Sequence, residues 1–339
     1  MTPIGLLWRG AVILIGLSAL VPPRTGSLGS HAHPAATYAA AVARAAYQQA
    51  VDDSVAVPAG RTILFAHGQR TPRAFVLLHG LTDSPRQFLP LAEAIYEHGD
   101  NVYVPRLPDH AERDGDARML AGLTAEKLRG CADSAVDVAD GLGDSVIVVG
   151  LSAGGTMAAW VAQFRSDVER VVVIAPALEA GEVPSAVEER LVNLTLRAPG
   201  VTHRAAPDTT NPDREPGFNT RAIAQVFHLG VAVRKAAANT RPGAREAAFL
   251  LNAHDRTIKA ATASDLAHRW QAHGMAVAVY MFPDSLQLPH DVVDAARRGG
   301  TPEIVQPILL ALGYGKAPPA WVARVTPRAV VDTVQPPKE

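Results

Sequence analysis

Ser152 is the residue of this 339-residue chain whose setting points most directly to chemistry. It sits in Gly150-Leu151-Ser152-Ala153-Gly154, after the apolar run Val146-Ile147-Val148-Val149 and before Gly155-Thr156-Met157-Ala158-Ala159-Trp160. That order predicts a buried strand, a turn too sharp for bulky neighbours, and a helix that begins with the serine hydroxyl held at the turn. Glycines 150 and 154 remove the Cβ atoms that would collide across it. A helix starting there aims its unpaired N–H groups at negative charge developing on a carbonyl under attack. The chemistry indicated is acyl transfer. A glycine-rich turn of no catalytic purpose is the plain alternative. A dinucleotide-binding turn would carry glycine where Ser152 stands, and no Gly-Lys-Ser/Thr follows to make a phosphate loop.

A serine hydroxyl needs a base, and the base needs an orienting group. Asp255 lies in the polar turn Asn252-Ala253-His254-Asp255-Arg256-Thr257, which closes an expected strand. His290 ends the loop Pro283-Asp284-Ser285-Leu286-Gln287-Leu288-Pro289-His290 after the last strong strand. Both then stand at the edge where the serine turn opens. Asp255 also suits the cap of the following helix, a role compatible with the first. Asp284 and Asp291 are alternative acids, and His254 is read as packing or loop structure. Upstream, the strand Phe75-Val76-Leu77-Leu78 runs into His79-Gly80-Leu81-Thr82-Asp83-Ser84-Pro85. The backbone N–H groups of Leu81 and Ala153 are the expected oxyanion donors. His79 precedes the serine and is read as a brace for this loop, not as the base.

Taken together, Leu77 to Pro85, Val104-Pro105-Arg106-Leu107-Pro108-Asp109-His110, the Ser152 turn, the Asp255 turn and Pro289-His290 resemble the α/β-hydrolase superfamily. Within it they resemble serine esterases and monoacylglycerol-lipase-like enzymes, in order, over roughly residues 60–315. The resemblance implies an α/β fold with a mainly parallel central sheet, helices on both faces and an inserted helical cap. It also implies a serine carboxylester hydrolase acting through an acyl-enzyme, with an acyltransferase or thioesterase as the alternative on the same fold. A non-catalytic binding protein is a third reading, disfavoured by the complete Ser, Asp and His set. One departure stands out: where such enzymes usually carry Gly-His-Gly, this chain has Asp109-His110-Ala111.

Composition narrows the partners. Lys plus Arg number 32 against 33 Asp plus Glu, for a net charge of −1, and no basic run tracks a phosphate backbone. Nucleic acid is not expected. No His-Glu-x-x-His, paired cysteines or acidic calcium loop is present, so neither metal nor cofactor is implied. A small acyl ester is the expected partner. Cys131 is the single cysteine and permits no internal disulfide.

Strands are expected over residues 63–66, 75–78, 102–104, 146–149, 171–174, 248–251 and 277–281, with helices over 86–98, 124–142, 153–164 and 258–273. Residues 37–315 form the expected hydrolase domain, interrupted at about 179–244 by the cap, whose centre, 206–213, is rich in proline and aspartate. Phe218, Val226, Phe227 and Leu229 serve either an acyl pocket or the cap's own core. Residues 1–36 are read as a signal peptide or membrane anchor plus linker, with His31 and His33 in flexible peptide. The uncharged segment from Gly10 to Val21 has the length of an export-signal core and is short for a span. Export, or retention through that segment, is the expectation. Residues 316–339 form a tail, with 321–331 packing on the core.

Overall fold

Val171, Val172, Val173 and Ile174 are apolar at consecutive positions and all fully buried, as a strand covered on both faces requires. In the computed structural model such strands stack into one eight-stranded sheet. The structure describes residues 21–113, 119–181, 183–197, 200–204, 217–294 and 301–327. Along the chain run α1 (Tyr38–Val55), β1 (Ile63–Phe65), β2 (Thr71–Leu78), α2 (Leu89–Glu97), β3 (Asn101–Val104), α3 (Ala125–Leu142), β4 (Gly143–Leu151), α4 (Ala153–Phe164) and β5 (Arg170–Ile174). A cap follows: α5 (Ser185–Thr195), the hairpin β6 (Thr202–Arg204) and β7 (Gly217–Asn219), and α6 (Thr220–Ala237). The chain then returns through β8 (Glu246–Asn252), α7 (Ala260–Ala272), β9 (Ala276–Phe282), α8 (Pro302–Gly313) and β10 (Ala323–Arg324).

The sheet order is β1-β3-β2-β4-β5-β8-β9-β10. Its edges, β1 on β3 and β10 on β9, pair antiparallel, and every inner pair is parallel. The carboxyl ends of β2, β4, β5, β8 and β9 therefore gather at one rim, where open α/β sheets hold their sites. All seven expected strands form.

Several expectations are corrected. The expected helix over 86–98 opens as a 3-10 turn, Pro85–Phe88, because Pro90 has no N–H and fits only the first turn of α2. The expected helix from 258 starts later, at Ala260, because the N–H groups of Thr257 and Ile258 point at the Asp255 carboxylate instead. Residues 25–36, expected as linker, are bound to the core. Leu28 is fully buried and its carbonyl accepts the Trp160 indole N–H at 2.6 Å. The backbone N–H groups of His31 and His33 donate to the carboxylates of Asp133 and Asp137. These two aspartates on α3 also receive Arg165, whose side chain is 1% exposed.

In the tail Val322 is buried, β10 pairs with β9, and the Trp321 ring stacks on Phe282 at 6.2 Å. Residues 328–339, 206–213 and most of the apolar amino-terminal segment lie outside the described residues. Among the described residues no helix is long and apolar enough to cross a membrane.

Candidate active site

β4 ends at Leu151 and α4 begins at Ala153, so Ser152 alone makes the reversal, at φ 57° and ψ −112°. A left-handed backbone costs a non-glycine residue of order 1–3 kcal/mol and persists only where its surroundings fix it. Here they do. The Ser152 N–H donates to the Ile174 carbonyl at 3.0 Å, and the Ser152 carbonyl accepts from Ala177 N–H at 3.1 Å and Thr156 N–H at 2.9 Å. A Cβ on Gly150 would stand 2.1 Å from the Gly154 carbonyl oxygen, and one on Gly154 1.9 Å from that of Leu78. Both positions admit only glycine.

His290 Nε2 lies 2.9 Å from Ser152 Oγ, and His290 Nδ1 lies 2.6 Å from Asp255 Oδ2. The carboxylate of Asp255 is 1% exposed, whereas the imidazole keeps 15% of its surface open. Asp255 Oδ1 accepts from the N–H groups of Thr257 at 2.8 Å and Ile258 at 3.4 Å, which sets the plane of the carboxylate. The structure thus brings the three sequence-chosen residues into one hydrogen-bonded line. It does not bring the alternative acids to the imidazole: Asp284 Oδ1 pairs with His254 Nδ1 at 3.0 Å, and Asp291 Oδ2 accepts from Gln87.

The loop after β2, where the oxyanion donor is expected, is held from several sides. A Cβ built on Gly80 would stand 3.9 Å from Ser152 Cβ, so this loop lies against Ser152. Leu107 N–H donates to His79 Nε2 at 3.1 Å, which leaves Nδ1 to carry the proton and donate to the Gly80 carbonyl at 2.9 Å. That carbonyl shares its peptide unit with the Leu81 N–H, so His79 orients the expected oxyanion donor from behind. Full burial, reinforced by His110 and Arg106, pushes the His79 pKa well down and keeps the ring neutral. Ala153, first residue of α4, has an N–H with no intrahelical acceptor.

His110 is fully buried; its Nε2 lies 2.6 Å from the Leu81 carbonyl oxygen and its Nδ1 2.8 Å from that of Pro108. The replaced glycines on either side keep the backbone that glycine would favour: Asp109 has φ 65° and Ala111 φ 53°. Asp109 is tied by Lys127 Nζ at 2.7 Å.

A cavity of about 410 Å³ opens over Ser152 and His290. Leu151, Ala177, Phe218, Ile223, Val226 and Phe227 give it an apolar wall, much of it from α6 of the cap; Thr82, Asp83, Gln87 and Asp291 make its polar end. Of the four cap residues singled out in the sequence, Phe218, Val226 and Phe227 line the cavity, and Val226 and Phe227 also belong, with Leu229, to the buried core.

Two contributors carried no signal in the sequence. Asn252 Nδ2 donates to the carbonyls of Leu288 and Pro289 at 2.8 and 3.2 Å, fixing the loop that delivers His290. Gln87 joins Gly80, in the loop after β2, to the residue after His290. Among the described residues, Asp83, Asp291 and Asp294 are the one group of possible metal ligands, with oxygens within 4.8 Å of one another. Gln87 Nε2 donates to the first two, at 3.3 and 2.9 Å, and the N–H groups of Val293 and Asp294 donate to Asp291 Oδ1.

Comparison with known proteins agrees with this fold. The model of the Alpha/beta hydrolase family matches residues 75–331. A thermostable monoacylglycerol lipase of Bacillus sp. (strain H-257) is 29% identical over 126 residues, 34% of this chain and 47% of that protein. The match therefore spans about half the length of that curated relative. Among solved structures, a metagenome-derived lipolytic enzyme of the LipS and LipT pair aligns over 77% of this chain and 99% of its own (TM-score 0.57, 17% identity). The Paleococcus ferrophilus monoacylglycerol lipase aligns over 75% of this chain and 98% of its own (TM-score 0.55, 17% identity). The monoglyceride lipase of Saccharomyces cerevisiae, solved with a substrate analog, covers 75% and 90% (TM-score 0.56, 9% identity). At these identities the structural likeness establishes the fold.

Proposed function

Because the chain belongs to the alpha/beta hydrolase family, we propose that it is a serine hydrolase of carboxylic esters working through an acyl-enzyme. The observation that carries this reading is the line from Asp255 Oδ2 to His290 Nδ1, 2.6 Å, and from His290 Nε2 to Ser152 Oγ, 2.9 Å. Ser152 Oγ attacks the ester carbonyl carbon as its proton passes to His290 Nε2. The carbonyl π pair moves to oxygen, where the N–H groups of Leu81 and Ala153 receive the charge. On collapse the C–O bond to the alcohol breaks, and the departing oxygen takes the proton from His290. Water then repeats the sequence on the acyl-enzyme, releasing the acid and restoring the serine.

The apolar wall suits the acyl chain, and the polar end the alcohol. Ser152→Ala should remove hydrolysis of p-nitrophenyl esters and labelling by a serine-directed phosphonate, with the thermal transition unchanged. Activity above a small fraction of the parent's would sink the assignment. Supplying an alcohol acceptor and measuring new ester against free acid separates hydrolysis from acyl transfer.

We also propose export directed by the apolar amino-terminal segment, either cleaved or kept as an anchor. Among the described residues, the Arg24 carbonyl lies 2.9 Å from His228 Nε2 on α6. The expected cleavage lies between about Leu20 and Ala36, with retention as an uncleaved anchor as the alternative. The intact mass of protein from a native-like host tests this, and full-length protein confined to the cytosol rejects it.

A further inference from the structure

Gln87 stands in the 3-10 turn Pro85–Phe88 that leads into α2, 2% exposed, at the polar end of the cavity. Its Oε1 accepts from the Gly80 N–H at 2.9 Å. Its Nε2 donates to Asp291 Oδ2 at 2.9 Å and, more weakly, to Asp83 Oδ2 at 3.3 Å. One planar amide therefore ties the Gly80 loop to the Asp291 loop, the latter 204 residues beyond Gln87. The first loop carries the Leu81 N–H, one residue beyond the N–H that Gln87 holds. The second carries His290, one residue before the carboxylate that Gln87 holds. Asp291 in turn fixes its own turn, accepting from the N–H groups of Val293 at 3.2 Å and Asp294 at 3.1 Å.

We propose that Gln87 is a positioning residue that sets the oxyanion donor of the Leu81 loop in register with the base His290, so that both meet one tetrahedral carbon. This rests on the ester-hydrolase reading of the site. Its physical basis is that the nucleophile is fixed by its own turn, while base and oxyanion donor come from two separate loops. Without Gln87 the His79 Nδ1–Gly80 carbonyl bond would still orient the Leu81 peptide, but the amide would no longer tie that peptide's position to the loop of His290. Misplacement by about 1 Å costs of order a hundredfold in rate, similar to deleting one oxyanion donor. Gln suits the post because the amide offers acceptor and donor in one rigid plane. Leucine offers neither. Glutamate keeps the acceptor and supplies the donor only while its carboxyl is protonated, facing Asp83 and Asp291 with Asp294 beside them.

The test compares parent, Gln87→Leu, Gln87→Glu and Ser152→Ala on one p-nitrophenyl ester, with a trifluoromethyl ketone of matching chain as a probe of the tetrahedral adduct. Gln87→Leu should lose about ten- to a hundredfold in kcat with KM within about threefold. Affinity for the ketone should fall in parallel with kcat/KM, which a purely structural glutamine would not produce. Gln87→Glu, scored as its kcat relative to the parent at each pH, should decline as pH rises and the new carboxyl ionises. That variant decides the matter if the leucine form does not fold. Gln87→Leu or Gln87→Glu at the parent's kcat and ketone affinity across pH, with Ser152→Ala inactive, overturns the proposal alone. Activity in Ser152→Ala overturns the ester-hydrolase reading and this proposal with it.

Discussion

Replacing Asp255 by asparagine changes one charge and one proton, and the surroundings of Asp255 determine how the imidazole responds. Oδ1 accepts the N–H groups of Thr257 and Ile258, so in the variant the amide oxygen is drawn to that side and the NH2 group faces His290 Nδ1. An amide N–H has a good partner there only if Nδ1 is unprotonated. The imidazole proton then sits on Nε2, 2.9 Å from Ser152 Oγ, where a base is required. Turning the amide over would restore the tautomer but oppose NH2 to the Thr257 N–H in a site where the parent side chain is 1% exposed. An unpaired buried donor costs about 1–3 kcal/mol, so the productive form is held to between roughly a fifth and a hundredth of molecules. It also lacks the charge that stabilises the imidazolium. The expected loss in kcat is thus between about a hundredfold and ten-thousandfold, the upper bound being that of the same exchange in an unrelated serine protease. Steady-state kinetics on a p-nitrophenyl ester, with far-UV circular dichroism to verify folding, measures it. Asp284→Asn, whose parent pairs with His254, should stay within about twofold of the parent. Asp255→Asn within tenfold of the parent, or an equal loss at Asp284, would refute the assignment.

Other parts of the molecule give three further expected outcomes. With the acyl chain against Phe218, Ile223, Val226 and Phe227, kcat/KM on an ester series should rise up to about fourfold per methylene, from about 0.8 kcal/mol of burial each, until the cavity is filled. Ile223→Trp should shorten the preferred chain; an unmoved optimum would place the acyl group elsewhere. His79 stays neutral inside the fold while the unfolded ring takes a proton near pH 6.5, so stability should be full above that pH and fall below it. The slope is at most about 1.4 kcal/mol per unit; urea midpoints between pH 7.5 and 5 should show it reduced in His79→Asn, and equal slopes would refute it. Finally, a Cβ on Gly60 would meet Ala111 Cβ at 2.2 Å, so Gly60→Ala should lower the thermal midpoint sharply. Ala111→Gly in the same chain should recover most of that loss, and a double variant no better than the single would show that the contact is not the cause.

What the sequence made legible were features whose physics is local. A glycine on each side of Ser152, an apolar run before it and a helix after it define the turn without reference to the rest of the chain. Val171 to Ile174 declare a doubly covered strand by having no polar face. Asp255 and His290 were legible for a related reason: each lies in the loop after a strand, at the rim to which a parallel sheet directs its loops. Where burial does not show as contrast, reading failed. α1 packs on α3 through Ala41 and Ala45, and an alanine face looks neither apolar nor polar along the chain. Residues 25–36 looked like linker because their attachment is made by backbone groups, the His31 and His33 N–H and the Leu28 carbonyl, which no side-chain pattern reveals.

Gln87 and Asn252 mark the sharpest limit. Each acts through hydrogen bonds that reach distant loops, 204 positions from Gln87 and 36 from Asn252, and each is chemically ordinary where it stands. By contrast Asp109 and Ala111 looked like a change of loop, since two glycines expected of the resembled enzymes were missing. The backbone nevertheless holds the left-handed conformation at both, φ 65° and 53°. Such a conformation costs a non-glycine residue about 1–2 kcal/mol, so something must hold it, and the contacts are visible. Lys127 pairs with Asp109, the Ala111 carbonyl accepts the Val57 N–H at 2.8 Å, and Arg106 Nη1 donates to the His110 carbonyl at 2.7 Å. The loop is kept because His110, set between the two strained residues, reaches the Leu81 carbonyl behind the oxyanion donor. Position in the network, more than residue type at 109 and 111, is what the fold preserves there.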